Sequence, residues 1–305
     1  MKFVLVGAGT CGALWRNAIA ATGDFLVAVC DPDLHRAAEL SADGARLFGD
    51  IDKLADDGTE CDYVRVSTPV RTHPHISERL LEMGFNVIVE KPFSYTFEHY
   101  VFAKEKAAQC KKRLVCAYHA AHGAEIDRFL ENRENIEDRL GSLKSFECKF
   151  FDPYCGDKKD TSAFEGLYGS YLDSAVNALS VIARIIDLDT VSAVEDVSLF
   201  MRTDNMLSTT HYLGPVTGSI ETNWTRGENL KVTTLFYEKG KVILHHSDQT
   251  LTVCGADAES ATDCNTKKAP RLLNQYVSII EALRDSSLCD ASEKILPLLL
   301  NGKTK

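Results

Sequence analysis

The sequence predicts an α/β protein: a doubly wound parallel sheet over residues 1–118, followed over 119–305 by an α+β half built on an antiparallel sheet. Two observations carry this. From Lys2 to Tyr118, short β-branched or apolar runs alternate with helix-length segments, which is the rhythm of βαβ units. After Tyr118, strand-like runs follow one another with only occasional helical stretches, the pattern of an antiparallel sheet with helices added. With 305 residues, 45% of them hydrophobic and 26% charged, the chain is long enough for two ordinary globular domains and too apolar to be disordered.

In the first half the strand candidates are 2–6, 25–30, 62–66, 86–89 and 113–118. Crossovers between parallel strands are nearly always right-handed, so such units wind helices onto both faces of one sheet. In the second half, 142–151, 191–201, 215–224, 230–237 and 241–244 read as strands, with Glu238-Lys239-Gly240-Lys241 as a hairpin turn. Apolar residues at helical spacing predict helices over 172–186 and 272–283. Segment 156–169, polar and bounded by Gly156 and Gly169, reads either as a loop over a site or as a solvated connector.

A formal net charge of −10 argues against nucleic acid and anionic membranes as partners, since both would repel the chain, and leaves a small molecule as the expected ligand. The ten cysteines contain no C-x-x-C pair and read as reduced thiols of a cytoplasmic protein. Strand residues begin at Lys2, with no basic n-region and no long apolar run, so neither export nor a membrane span is expected.

The strand Phe3-Val4-Leu5-Val6 runs directly into Gly7-Ala8-Gly9-Thr10-Cys11-Gly12, and a helical run follows. In that setting Gly7 permits the tight turn, Gly9 lets the backbone approach a pyrophosphate, and Gly12 lets the helix pack closely on the strand. Thr10 and Cys11 fall at the helix N-terminus, whose positive potential suits a phosphate. Asp31 closes the second strand, 19 residues after Gly12, where a carboxylate accepts hydrogen bonds from an adenosine ribose; it could also serve as a turn or helix-capping residue before Pro32. Such an aspartate favours NAD, while Arg36 just beyond leaves NADP open. The third strand ends at Ser67-Thr68-Pro69, which places Ser67 and Thr68 at the same edge of the sheet, with His73 next as either a cofactor neighbour or a helix-start residue. Arg65, in the middle of a strand that should be buried on both faces, has no place in this pattern.

The strand Val87-Ile88-Val89 ends in Glu90-Lys91-Pro92, which sets a lysine at the carboxyl end of a parallel strand, facing the crevice where cofactors sit. Together, the Gly7 to Gly12 loop, Asp31, Thr68-Pro69 with His73, and Gly84 leading to Glu90-Lys91-Pro92 resemble the family of glucose-fructose oxidoreductase, inositol dehydrogenase and MocA. The resemblance is strong over residues 2–118 and weaker beyond, where it rests on Gly169, Leu172-Asp173, Trp224 and Tyr276. It implies a Rossmann domain followed by an open-faced antiparallel sheet, a nicotinamide cofactor, and hydride transfer at a hydroxyl-bearing carbon of a sugar, cyclitol or related compound. It also implies homo-oligomers formed through the open sheet, a Lys91 beside the nicotinamide ribose and the substrate hydroxyl, and a Lys91-Pro92 bond able to be cis.

The chain departs from the family at the second motif. Where the family sets an aspartate and, four residues on, a histidine on one helix, this chain has Asp173 and Asn177. An asparagine can hydrogen-bond a hydroxyl but cannot take its proton, so the general base is missing from its expected place. Asp173 and Asn177 read as substrate contacts or as a buried helix-start aspartate and an exposed asparagine. Three replacements are open: Lys91 with a lowered pKa, an imidazole from His119 or His122 after the last strand, or a phenol from Tyr118, Tyr168 or Tyr171. His245-His246 reads as a solvated pair pointing to opposite faces, and no histidine, cysteine or carboxylate cluster has metal-ligand spacing. The expected function is an NAD(P)-dependent dehydrogenase; the competing expectation is a catalytically impaired protein of the same fold that binds cofactor and sugar for regulation or sensing.

Overall fold

The computed structural model describes residues 1–41, 44–155, 169–193, 207–255, 262–265, 270–288 and 290–300. Its first half is β1 (Lys2–Val6), α1 (Thr10–Ala21), β2 (Phe25–Cys30), α2 (Leu34–Leu40), β3 (Arg46–Phe48), α3 (Asp52–Asp56), β4 (Tyr63–Val66), α4 (His73–Glu82), β5 (Val87–Glu90), α5 (Phe97–Cys110) and β6 (Leu114–Ala117). The six strands form one parallel sheet in the order β3-β2-β1-β4-β5-β6. Strand order reverses at β1, so the connections after β1 and β4 leave in opposite directions and open a crevice at the carboxyl ends. β4, β5 and β6 are buried along their whole length, as strands covered on both faces must be. The five predicted strands are all present. β3 was not predicted, because three residues are too few to show any periodicity.

Next come α6 (Ala124–Glu131), α7 (Arg133–Leu140), β7 (Leu143–Phe151), a π turn (Tyr171–Ala175) leading into α8 (Val176–Ile185), and β8 (Ser192–Ala193). They are followed by β9 (Leu207–Leu213), β10 (Thr217–Asn223), β11 (Lys231–Tyr237), β12 (Gly240–His245), β13 (Thr250–Gly255), β14 (Thr262–Asn265), α9 (Arg271–Arg284) and α10 (Ser292–Leu300). The second sheet has the order β14-β13-β12-β11-β7-β10-β9-β8. It is mixed rather than purely antiparallel: β7 and β10 pair in parallel, with Cys148 opposite Ile220. Parallel neighbours need a long crossover, and residues 152–216, which include α8, supply it. The predicted hairpin is present, with Tyr237 opposite Gly240. Of the predicted strand 191–201, residues 194–201 lie outside the described residues, as does most of segment 156–169.

The chain separates into two compact units, 1–118 with 276–293 and 119–275 with 294–305. In the second, alternation along β7 puts Phe146, Cys148 and Phe150 on the covered face and Glu147 and Lys149 on the other, which is exposed. On that open face Lys149 stands opposite Glu221 of β10, and Glu147 opposite Thr234 of β11.

Within the covered layer, His246 is buried rather than solvated. Its Nδ1 pairs with Glu125 Oε1 at 2.7 Å and its Nε2 with Thr233 Oγ1 at 2.9 Å. The hydrophobic cover of α6 is thus pinned to the sheet by one ionisable pair. Glu125→Ala, which leaves the imidazole buried without its partner, is expected to cost roughly 3 kcal/mol in urea unfolding. Glu125→Gln, which keeps a hydrogen-bond acceptor in place, is expected to cost clearly less.

Candidate functional site

The crevice begins with β1 and the turn that follows it. Gly7 has φ +98°, and a Cβ there would stand 2.8 Å from the Ser67 backbone, so only glycine fits. A Cβ on Gly12 would press into the Gly7 carbonyl oxygen, and glycine there lets α1 pack down on the turn. The N-cap of α1 is Gly9, which has no side chain to cap with, so the first-turn N–H groups are left for a ligand. Ser67 N donates to Val6 O at 2.7 Å, tying the ends of β1 and β4 into one rim.

A cavity of about 730 Å³ opens over this rim, lined by Gly7, Gly9, Thr10, Cys11, Asp31, Ser67 and Thr68. Arg36, Asp50 and Thr72 complete its polar lining. Asp31 Oδ2 accepts the Ala8 N–H at 2.7 Å and Oδ1 accepts the Asp33 N–H at 2.9 Å, so the carboxylate is fixed against the glycine turn. The helix cap beyond is Asp33, not Asp31. Arg36 Nη2 reaches 3.9 Å from where a Cβ on Gly9 would be, which brings a guanidinium over the glycine loop. Asp50 was missed by the sequence because it follows β3. Its presence is felt at Cys30, whose thiol is pushed up to about 12 by burial and by the charges of Asp50 and Asp31. Two carboxylates at one end of the cavity, an arginine over the loop and a helix N-terminus suit NAD: the arginine and the N–H groups for phosphate, the carboxylates for ribose hydroxyls.

His73 is wholly buried and lies outside the cavity lining. Its Nε2 faces Thr68 O at 2.7 Å and its Nδ1 faces Pro92 O at 3.1 Å, so the ring bridges the loops after β4 and β5. Burial holds its pKa below the usual value, against the pull of the two carbonyls. In the neutral form one nitrogen donates and the other only packs. His73 therefore stands between the two loops rather than in the lining of the cavity. Glu90 is also buried, bound by Arg65, while Lys91 leaves the end of β5 half-exposed through a cis bond to Pro92.

In the second unit, Asp173 lies within the π turn and Asn177 in the first turn of α8. The turn is bolted down from several sides. Ser170 Oγ bonds Thr222 Oγ1 at 2.8 Å, and Ser174 Oγ donates to Asp152 Oδ2 at 2.7 Å while accepting the Trp224 indole N–H at 3.0 Å. Asp152 in turn pairs with Lys231, whose ammonium also reaches Phe151 O at 3.1 Å. Burial lowers the Lys231 pKa, and Asp152 and Asp173 pull it back. Asn177 is buried, not exposed, and its Oδ1 has no donor among the described residues; Nδ2 reaches only Asp173 O at 3.3 Å.

Burial moves three of the candidate acid–base groups, Tyr118, Tyr171 and His122, away from neutral pH. Tyr118 is in the core, with its hydroxyl on Ser292 Oγ at 2.7 Å and its pKa raised by burial. Tyr171 is buried and donates to Leu299 O at 2.8 Å, with its pKa up to about 12. Tyr168 lies outside the described residues. His122 is pushed down to about 3 by burial and by Arg184 and His119, too weak a base near neutral pH. His119 Nδ1 is engaged by Gln275 Oε1 at 2.9 Å.

Residues 1–119 match the model of a family described as an oxidoreductase family with an NAD-binding Rossmann fold. Among curated proteins, the UDP-N-acetylglucosamine 3-dehydrogenase of Acidithiobacillus ferrooxidans is 32% identical over 99 residues, 32% of this chain and 30% of that protein. Inositol 2-dehydrogenase 4 of Saccharopolyspora erythraea is 34% identical over 119 residues, 38% of this chain and 35% of that protein. The matched stretch thus spans about a third of each relative. Among solved structures, an oxidoreductase from Agrobacterium radiobacter in complex with NAD+, L-tartaric acid and magnesium superposes with TM-score 0.79 over 98% of this chain and 94% of that one, at 17% identity. A levoglucosan dehydrogenase in complex with NADH and levoglucosan gives 0.76 over 99% and 95%, at 16% identity. At such identities the superpositions speak for the shared fold. Gly7→Ala is expected to weaken NADH binding at least tenfold, equivalent to about 1.4 kcal/mol, in a fluorescence titration, with the far-UV circular dichroism unchanged.

Proposed function

We propose that the chain, whose residues 1–119 match an oxidoreductase family with an NAD-binding Rossmann fold, belongs to the family of glucose-fructose oxidoreductase, inositol dehydrogenase and MocA and is an NAD-dependent dehydrogenase acting on a hydroxyl-bearing carbon of a sugar, cyclitol or related small molecule. The observation that carries this reading is Lys91, set by β5 at the carboxyl edge of the same sheet whose β1 and β4 loops line the cofactor cavity. Bound NAD supplies the hydride acceptor. Lys91 exchanges the hydroxyl proton, since its amine stands at that edge and can both give and take a proton. Asp31 and Asp50 favour a free ribose 2′-hydroxyl over a phosphate, and hence NAD over NADP.

In the second unit, Asp173 and Asn177 are the candidates for substrate hydroxyls. The unpaired Asn177 Oδ1 is a buried acceptor that a hydroxyl donor would satisfy. A cytoplasmic location suits cysteines outside any disulfide, such as Cys61 and Cys110, and belongs to the same proposal. None of the described helices is long and apolar enough to cross a membrane.

With NAD and a panel of sugars, cyclitols and small polyols, at least one compound should reduce the cofactor, and Lys91→Ala should lower kcat by about two to four orders of magnitude. Full turnover by that variant would sink the assignment. Tight NADH binding without any turnover would instead favour a binding protein whose base was lost at Asn177. The open face carrying Glu147, Lys149 and Thr234 is proposed as the homo-oligomer contact. Light scattering should give a multiple of 33.7 kDa for the native chain. Thr234→Arg, which sets a charge in the middle of that face, should give the monomer.

A further inference from the structure

Arg65 stands in the middle of β4 with none of its side chain exposed. A guanidinium cannot shed its proton, so a buried one has to be matched by charge and hydrogen bonds. Nη2 pairs with Glu90 Oε2 at the end of β5, and Nη1 donates to the carbonyls of Val66 and Ile88. The guanidinium lies 4.5 Å from the centroid of the Trp15 ring on α1. Tyr276 on α9 donates its hydroxyl to the same Glu90 oxygen at 3.3 Å, with its ring 5.2 Å from that of Trp15. The other carboxylate oxygen, Oε1, accepts the Lys91 amide N–H at 3.2 Å. Of the remaining titratable neighbours, His73 on α4 and Cys116 on β6 feel the charge of Glu90, and Cys11 on α1 faces Tyr276.

We propose that Arg65 is a positioning residue for Lys91, acting through Glu90: it cancels the charge of the carboxylate that precedes the lysine and holds that carboxylate on the lysine's amide. It thereby sets both the backbone from which Lys91 projects and the field in which its ammonium titrates. The inference rests on the reading of Lys91 as the proton-exchanging group. Buried charges interact at several ångströms with more than one pH unit of effect, so breaking the pair from either side has a defined sign. Loss of the arginine leaves the carboxylate unmatched, which favours the charged lysine. Loss of the carboxylate leaves the guanidinium unmatched, which favours the free amine.

The test is competitive acetylation of Lys91 by acetic anhydride on the full, cofactor-free chain, followed by mass spectrometry across about pH 6 to 11. Arg65→Met should raise the Lys91 midpoint by about one unit and Glu90→Gln should lower it by about as much. The double variant should return near the native value. Arg65→Lys, which keeps the charge, should also titrate near native even where the melting temperature falls. Identical Lys91 titration in native and Glu90→Gln protein would overturn the proposal, whatever happens to stability, and Glu90→Gln with Arg65→Lys carries the test where Arg65→Met does not fold. Turnover is read separately. Shifted titrations with an active Lys91→Ala enzyme would remove the catalytic reading and leave this one. Unshifted titrations with an inactive Lys91→Ala enzyme would remove this one alone.

Discussion

The first unit is organised around one buried ion pair. Arg65 and Glu90 lie on neighbouring strands of the parallel sheet, and taking both charges out of water costs several kcal/mol per ion before any attraction is counted. That cost dictates what surrounds them: two backbone carbonyls, a tyrosine hydroxyl, an indole face and the amide of Lys91. Even so, Arg65 Nε and Trp15 Nε1 find no acceptor among the described residues. A pair of well-packed apolar side chains would commonly serve stability as well or better. What the charges add is direction. They join α1 behind the glycine turn, β4 ahead of Ser67 and Thr68, β5 ahead of Lys91, and α9, so the pieces that make the cofactor edge cannot shift independently.

His73 performs a related task by a different interaction. Its ring spans the carbonyls of Thr68 and Pro92, holding together the loops that follow the same two strands. The ion pair fixes these strands within the sheet and the imidazole fixes the loops beyond it. Neither group touches the cavity, yet both determine the shape of its floor.

This division explains what could be read from the sequence. β1, β2, β4, β5 and β6 were legible because strands buried on both faces must be apolar and β-branched, and the glycine turn because its backbone admits no Cβ. β3 was not, since three residues carry no period, and Asp50 was lost with it. α7 went unread because charged residues such as Arg133, Glu134 and Glu137 obscure its apolar stripe, and α6 because eight residues give an apolar stripe barely two turns to repeat. The parallel pairing of β7 with β10 depends on a crossover whose path a local pattern does not show. Arg65 looked misplaced for a more general reason: a buried charge makes sense only beside its partner, and Glu90 is 25 residues away. The same holds for His246 and Glu125, 121 residues apart.

Proton chemistry follows from the same principle that burial decides what a titratable group can do. Tyr118, Tyr171 and His122 each carry a suitable functional group, and each is moved away from neutral pH because its charged form would be desolvated. Asn177 keeps a place where a hydroxyl donor would be welcome, but an amide moves no proton. The proposed proton transfer is therefore placed at Lys91, at the end of a strand whose last carboxylate is paired with Arg65. The charge of Glu90, which beside an unaided lysine would tend to keep it protonated, is compensated inside the sheet by Arg65. Under the proposed function, the amide at Asn177 and the buried Arg65 are parts of one arrangement, in which the proton moves through an amine whose neighbouring carboxylate is matched from inside the sheet.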